Sequence, residues 1–249
     1  MGFYNVINAS SMQTGQPEDV SQVLANFNAI AAVLNGALDN SNIDAAAAIA
    51  LSKLSQGAAG KVLGMNQSPV AAWVNGLQQI NDSLLGADAA NIDFQSIPAT
   101  FAHLIVVGYL RGTAAVTGTE FRCQYNADSG SNYDYQTILG NSTSVTAVGA
   151  VSGAQTFARL GRMPGSTAPG NSFSTVVVFI GNYAGAIGHK TGIGFSQSRE
   201  AAGALTDNIV EIGGSSWFNA TPAAINRITF FPNGGNLKAG SRITLYGVG

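Results

Sequence analysis

Charge is what this chain has least of. Its 11 Lys and Arg and 13 Asp and Glu side chains make up 10% of 249 residues, against about 25% in an average globular domain. A formal net charge of −2 supplies no general field for drawing in nucleic acid or an anionic membrane surface. The single cysteine, Cys123, cannot close an intrachain disulfide, so cysteine usage does not reveal the redox compartment. The two histidines, His103 and His189, stand far apart, and no Cys/His cluster has the spacing of a zinc site. The longest apolar stretch, about Ala102 to Leu110, is broken by His103 and Gly108 and is too short to span a bilayer. No basic segment leads into an apolar run near Met1, as a signal peptide requires. Val6 stands where a myristoylation signal wants Ser or Thr. The expectation is a chain made in a cytoplasm, without a secretory signal and without membrane insertion.

What is abundant excludes further classes. Apolar residues make up 46% of the chain, whereas disordered chains are poor in them and rich in charge. The 31 glycines lack the three-residue period of collagen. A monomer normally shows water a mixed charged surface. Here Ser, Thr, Asn, Gln, Gly and Ala must supply much of it. Such surfaces suit a chain covered by its own copies or by a larger assembly, and they also occur on neutral secreted domains.

The chain changes character along its length. After Pro17, Glu18 and Asp19 sit where a helix N-terminus favours acids. Val20, Val23, Phe27, Ile30 and Leu34 follow at spacings of 3, 4, 3 and 4, the seam of a bundle or coiled-coil helix. Two heptads are too few to stand alone, so the helix needs partners from its own domain or from other chains; little follows that could pack there, and the seam is assigned to oligomerisation. Asn35-Gly36 ends it. Ser41 and Asp44 form a loose capping box ahead of Ile43, Ala47, Ala50 and Leu54. Residues 1–56 thus read as a helical anchor, residues 57–91 as a linker or short extended module with a second short helix over Leu77 to Leu85, and residues 92–249 as a head domain.

That head alternates short β-branched and aromatic runs with turn signals. The runs are Ile92–Ile97, Leu104–Leu110, Glu120–Tyr125, Tyr133–Leu139, Ser174–Ile180, Ile193–Ser196, Ile209–Ile212, Ile225–Phe231 and Ser241–Tyr246. The turns are Asp128-Ser129-Gly130, Gly213-Gly214, Asn233-Gly234-Gly235 and Ala239-Gly240. Many strands without helical periods between them predict an antiparallel β-sandwich of jelly-roll type. The run Val176-Val177-Val178-Phe179 predicts a central strand buried on both faces.

Several phrases resemble those of tailed-bacteriophage fibre and appendage proteins. One runs Leu38-Asp39-Asn40-Ser41-Asn42-Ile43-Asp44-Ala45 and ends at Ser52-Lys53-Leu54. A second runs from Gly60-Lys61-Val62-Leu63 to Trp73. The C-terminal part is similar to β-sandwich heads of such proteins in Ile97-Pro98, His103-Leu104, Arg111, the stretch Tyr125 to Tyr133, and the closing run Ile225 to Gly247. The resemblance covers residues 38–246 discontinuously. It implies a virion protein assembled in the host cytoplasm, a homotrimer with an N-terminal part docked on other virion proteins and a head outside. It supplies no functional residues and does not distinguish tail from capsid.

Motifs for chemistry are sparse. Gly60-Lys61 is followed by Val62, with Ser55 where a P-loop needs Gly. No Gly-x-Ser-x-Gly elbow leads into a helix. Glu120, Asp128, Asp134, Glu200, Asp207 and Glu211 are a thin supply for the carboxylate pair of a glycosidase. Asp128, Asn132 and Asp134 offer oxygens to Ca²⁺, yet Asp128-Ser129-Gly130 reads first as a hairpin turn. No catalytic residue, cofactor or metal is assigned. Tyr133, Tyr135, Tyr183 and Trp217 lie near turns and are the candidates for stacking on a host-surface glycan, with core or interface packing as the competing role. The function expected is host attachment by a non-enzymatic fibre-like protein. Capsid decoration, or a head fibre of mainly architectural role, is the alternative, and a glycan depolymerase the third reading.

Overall fold

The computed structural model describes residues 24, 25, 27, 28, 31, 61–65, 71–141, 144–201 and 208–249. The chain divides into two units, Met1–Gln56 and Gly57–Gly249. In the first, Leu24, Ala25, Phe27, Asn28 and Ala31 are helical and exposed. Val20, Val23, Ile30 and Leu34 of the heptad seam lie outside the described residues.

The second unit is built of antiparallel strands. β1 (Lys61–Met65) and β2 (Ala71–Asn75) form a two-stranded ribbon. β3 (Gln78–Leu84), β5 (His103–Leu110), β7 (Tyr133–Asn141), β8 (Ser144–Gln155), β10 (Ser174–Ile180), β11 (Lys190–Arg199), β12 (Asn208–Trp217) and β14 (Arg242–Val248) form an eight-stranded sheet. Its order is β3-β14-β5-β10-β11-β12-β7-β8. β4 (Ile92–Phe94), β6 (Gly118–Tyr125), β9 (Ala158–Pro164) and β13 (Ile228–Pro232) form a four-stranded sheet in the order β4-β13-β6-β9. The expected mainly β, antiparallel architecture is what the described residues adopt, with the eight- and four-stranded sheets packed as in a β-sandwich.

Strict alternation explains which face is inside. In β10, Ser174, Val176, Val178 and Ile180 are buried while Thr175, Val177 and Phe179 point outward. In β5, Leu104, Val106 and Leu110 are fully buried. These residues, with Ile243 and Leu245 of β14, meet Phe94, Phe121, Ile228 and Phe230 of the small sheet in one apolar cluster. Phe230 stacks on Phe121 at 5.6 Å and meets Phe94 edge-on at 5.7 Å, the geometries that aromatic quadrupoles favour. β9 lies across β10, β11 and β12.

Three local expectations are corrected. Residues 78–84 are β3, not part of a helix; Asp82 there bonds Arg242 and Thr244 of the neighbouring β14. Gly213-Gly214 is no turn but the middle of β12. Asp128-Ser129-Gly130 does not close a hairpin, because β6 and β7 belong to different sheets. The tight turn is one step earlier. Asn126 and Ala127 have φ of 52° and 57°, and the Asp128 N–H donates to the Tyr125 carbonyl at 2.9 Å, a left-handed pair that Asn tolerates and Ala does not favour.

Candidate functional site

The register of the large sheet assembles a site from three distant segments. Thr191 of β11 lies opposite Ser216 of β12, which lies opposite Asp134 of β7. The next outward row reads Ile193, Gly214 and Gln136. Gly214 has no side chain to fill its place in that row. The result is a shallow depression of about 280 Å³ lined by Asp134, Tyr135, Gln136, Thr191, Gly192, Gly214, Ser215 and Ser216. Hydroxyl, amide and carboxylate groups at its sides are the donor and acceptor set that sugar hydroxyls match.

Beside this depression runs an apolar belt on the same face. One row contains Ile105, Phe179 and Ile193. The next contains Val107, Val177, Phe195, Ile212 and Ile138 in register across five strands. Phe195 is 49% exposed and Ile138 52%. A strand that reads as buried on both faces is therefore covered by the described residues of its own unit on one face only.

The aromatic candidates take other positions. Tyr133, Tyr183 and Trp217 are buried in the core and offer no ring to solvent, which removes all three as sugar-stacking surfaces. The Tyr133 hydroxyl accepts the Tyr125 N–H at 3.0 Å and donates to the Asp128 carbonyl at 3.0 Å. The Tyr183 hydroxyl donates to the Pro98 carbonyl. Tyr135 lines the depression, and its ring stacks on Phe157 at 6.4 Å near the Arg159 guanidinium.

The Asp128 carboxylate serves the corner. Its oxygens accept the Gly130 N–H at 2.8 Å, the Asn132 amide at 2.9 Å and the Trp217 indole N–H at 2.7 Å. Burial alone would raise its pKa, but the Trp217, Asn132 and Gly130 donors hold it below the ordinary value. Oxygens held by three protein donors are poorly placed to ligate Ca²⁺. Among the described residues no group of three His, Cys, Asp or Glu converges on one point, and no helix is long and apolar enough to cross a membrane.

Glu120, Glu200 and Glu211 are tied to arginines. Arg159 of β9 forms a two-pronged bond with Glu211 of β12, at 2.8 and 2.7 Å, and reaches Glu120 of β6 at 2.8 Å. Arg122 closes on Glu120 at 2.5 Å and lies 3.7 Å over the Phe157 ring. Arg162 bonds both oxygens of Glu200, and Ser198 donates to the same carboxylate. Burial would push Arg159 down, but Glu211 and Glu120 hold it above its ordinary value. The pair of carboxylates that β6 and β12 bring together, Glu120 and Glu211, is thus bridged by the Arg159 guanidinium, with Arg122 supplying the second positive charge. Glu211 is 1% exposed, out of reach of a polysaccharide. Asp207 lies outside the described residues.

Two buried cations are structural. Arg111 is 4% exposed and donates to the carbonyls of Pro169, Ala168 and Ser172 at 2.6 to 3.0 Å, which folds that loop around it. Lys190 donates to the Gly185 carbonyl, and burial pushes its pKa down. Cys123 is buried and its thiol is pushed up to about 12 by desolvation, which leaves it inert at neutral pH. His103 accepts the Asn182 N–H through Nδ1.

No protein-family model matches the chain, and no curated protein and no solved structure matches it.

Proposed function

We propose that the chain is a bacteriophage virion protein of fibre type, whose sandwich is a host-attachment head and whose N-terminal region anchors it to the particle. The observation that carries attachment is the polar depression over Gly214, where Asp134, Gln136, Thr191 and Ser216 surround a floor without side chains. A shallow site of this kind binds a sugar weakly. Copies on one particle multiply such sites into avidity without a tight individual contact. The arginine-bound state of Glu120, Glu200 and Glu211 supports a binding role over hydrolysis.

The alternative, a capsid decoration protein of mainly architectural role, draws support from the apolar belt. Two measurements separate the readings. Full-length chain added to host cells should bind saturably, with competition by their surface polysaccharide, and Gly214→Trp should abolish that binding. Cryo-electron microscopy of the particles should place the chain on a tail or head fibre. Particle location without saturable binding would favour decoration, a fall in polysaccharide viscosity would favour a depolymerase, and absence from particles would overturn both virion readings.

A further inference from the structure

From the outward face of the large sheet, we infer that the belt centred on Val177, Phe195 and Ile212 is the interface between copies of this chain. The inference deepens the attachment reading by naming the surface through which copies assemble, but it rests on its own observations.

The first is the disagreement between sequence pattern and coverage. β5 and β10 are apolar on both faces, yet Val107, Tyr109, Val177 and Phe179 of the outward face are all more than one-third exposed. Apolar runs without alternation belong to strands covered on both sides. Here the small sheet covers one.

The second is area. A third outward row contains Tyr109, Thr175, Gln197 and Val210. Same-face residues ~6.8 Å apart on strands spaced ~4.8 Å make the rows through Ile193, Phe195 and Gln197, from β14 to β8, a plane of roughly 700 Å², polar residues included. Each partner in a stable interface contributes about 800 Å² of apolar and polar surface together.

The third is anatomy. The centre has no charged group, while Arg242, Arg199 and Asn208 border one end of the strands and Asp134, Ser216 and Thr191 the other. An apolar centre within a polar rim is the pattern of protein interfaces. With nothing charged at its centre, the face offers no complement to a charged partner and matches best a surface like itself, as in the closed assemblies that most oligomers form. At one edge lies β8, twelve residues without a charge or a proline, its pairing to β7 interrupted between Tyr133 and Tyr135; an edge without charge or proline is of the kind monomers avoid. In the other unit Phe27, a position of the heptad seam, is 64% exposed. The depression over Gly214 sits at the rim, one row from the centre.

The test uses the full chain carrying Val177→Cys, since buried Cys123 gives little background labelling. Sedimentation velocity should show an oligomer, and a maleimide should label position 177 at least ten-fold more slowly than in denaturant. Adding Phe195→Asp should restore fast labelling, whether or not the N-terminal seam still holds the copies together, with the β circular-dichroism signal unchanged. Phe195→Gln replaces it if the charged variant is insoluble. Ile187→Asp, at a loop residue 90% exposed, should change nothing. Fast labelling within the oligomer, or a monomeric chain, overturns the inference. Protection in a monomer also overturns it, since residues 1–56 would then be the cover. None of these outcomes touches the host-binding measurement, so the two readings fail separately.

Discussion

Arg159 and Glu211 face each other between the two sheets, guanidinium to carboxylate, with both prongs at or below 2.8 Å. The side chains are 4% and 1% exposed. The pair ties β9 to β12 across the two sheets. Removing Arg159 strands the buried Glu211, whereas removing Glu211 leaves Arg159 on Glu120. Arg159→Met is therefore expected to cost about 3–5 kcal/mol in urea unfolding, as for other broken buried pairs. Arg159→Met combined with Glu211→Leu should cost far less, because no charge is left behind. Equal losses in the single and double variants would contradict this account.

Acid should unfold the protein through its depressed carboxylates. Arg227 holds Asp93 below its ordinary value of 3.8, and Arg242 does the same for Asp82. A carboxylate whose folded pKa is lowered contributes stability that is fully present above the unfolded value and lost as pH falls through the folded one. The Tm should therefore stay level from neutral pH to about 5 and drop below about 4. Asp93→Asn should lower the neutral Tm and flatten that acid limb. An unchanged limb would mean that other groups carry the transition.

The strands with β-branched runs, Leu104–Leu110 and Ser174–Ile180, were legible in the sequence because burial demands such residues. The outward apolar run was visible too, but it read as buried on both faces, whereas Val177 and Phe179 are more than one-third exposed. What was hidden depends on partners far away in sequence. Leu77, Ile80 and Leu84 fit a helical period, and it is backbone pairing with β14, far on in the sequence, that makes residues 78–84 a strand. Gly213-Gly214 reads as a turn, whereas Gly213 is glycine because the Thr137 methyl would lie 2.6 Å from any Cβ there. The depression has no sequence motif, since register alone brings Asp134, Thr191 and Ser216 into line. Its one signal is a Gly pair inside the run from Ile209 to Trp217. The buried tyrosines and Trp217 misled because a corner between two sheets places turn-adjacent aromatics inside.

Close approach of the sheets depends on Gly194. A methyl group there would overlap the Leu160 carbonyl oxygen of β9, which is backbone and has no rotamer to change. Gly194→Ala is expected to lower stability by about 1–3 kcal/mol, the usual cost of overpacking. Gly170→Ala, where nothing lies within 4 Å, is the matched control and should lie within about 0.5 kcal/mol of the parent. A Gly194→Ala variant as stable as the parent would show that β9 can slide on β11.

The corner between β6 and β7 offers a separate test of the aromatic assignments. Tyr133 accepts the buried Tyr125 N–H, and Asp128 accepts the Trp217 indole N–H. Tyr133→Phe and Asp128→Ala each leave a buried donor unsatisfied, at an expected cost of about 1–3 kcal/mol. Asp128→Ala should also shift Trp217 emission, because the indole loses a charged acceptor; Trp73→Phe in both chains isolates that signal. If these residues serve the corner alone, host-cell binding by Tyr133→Phe, measured well below its lowered Tm, should match the parent, while Gly214→Trp loses binding at an unchanged Tm. Binding lost by Tyr133→Phe at unchanged stability would instead return the buried ring to the ligand site.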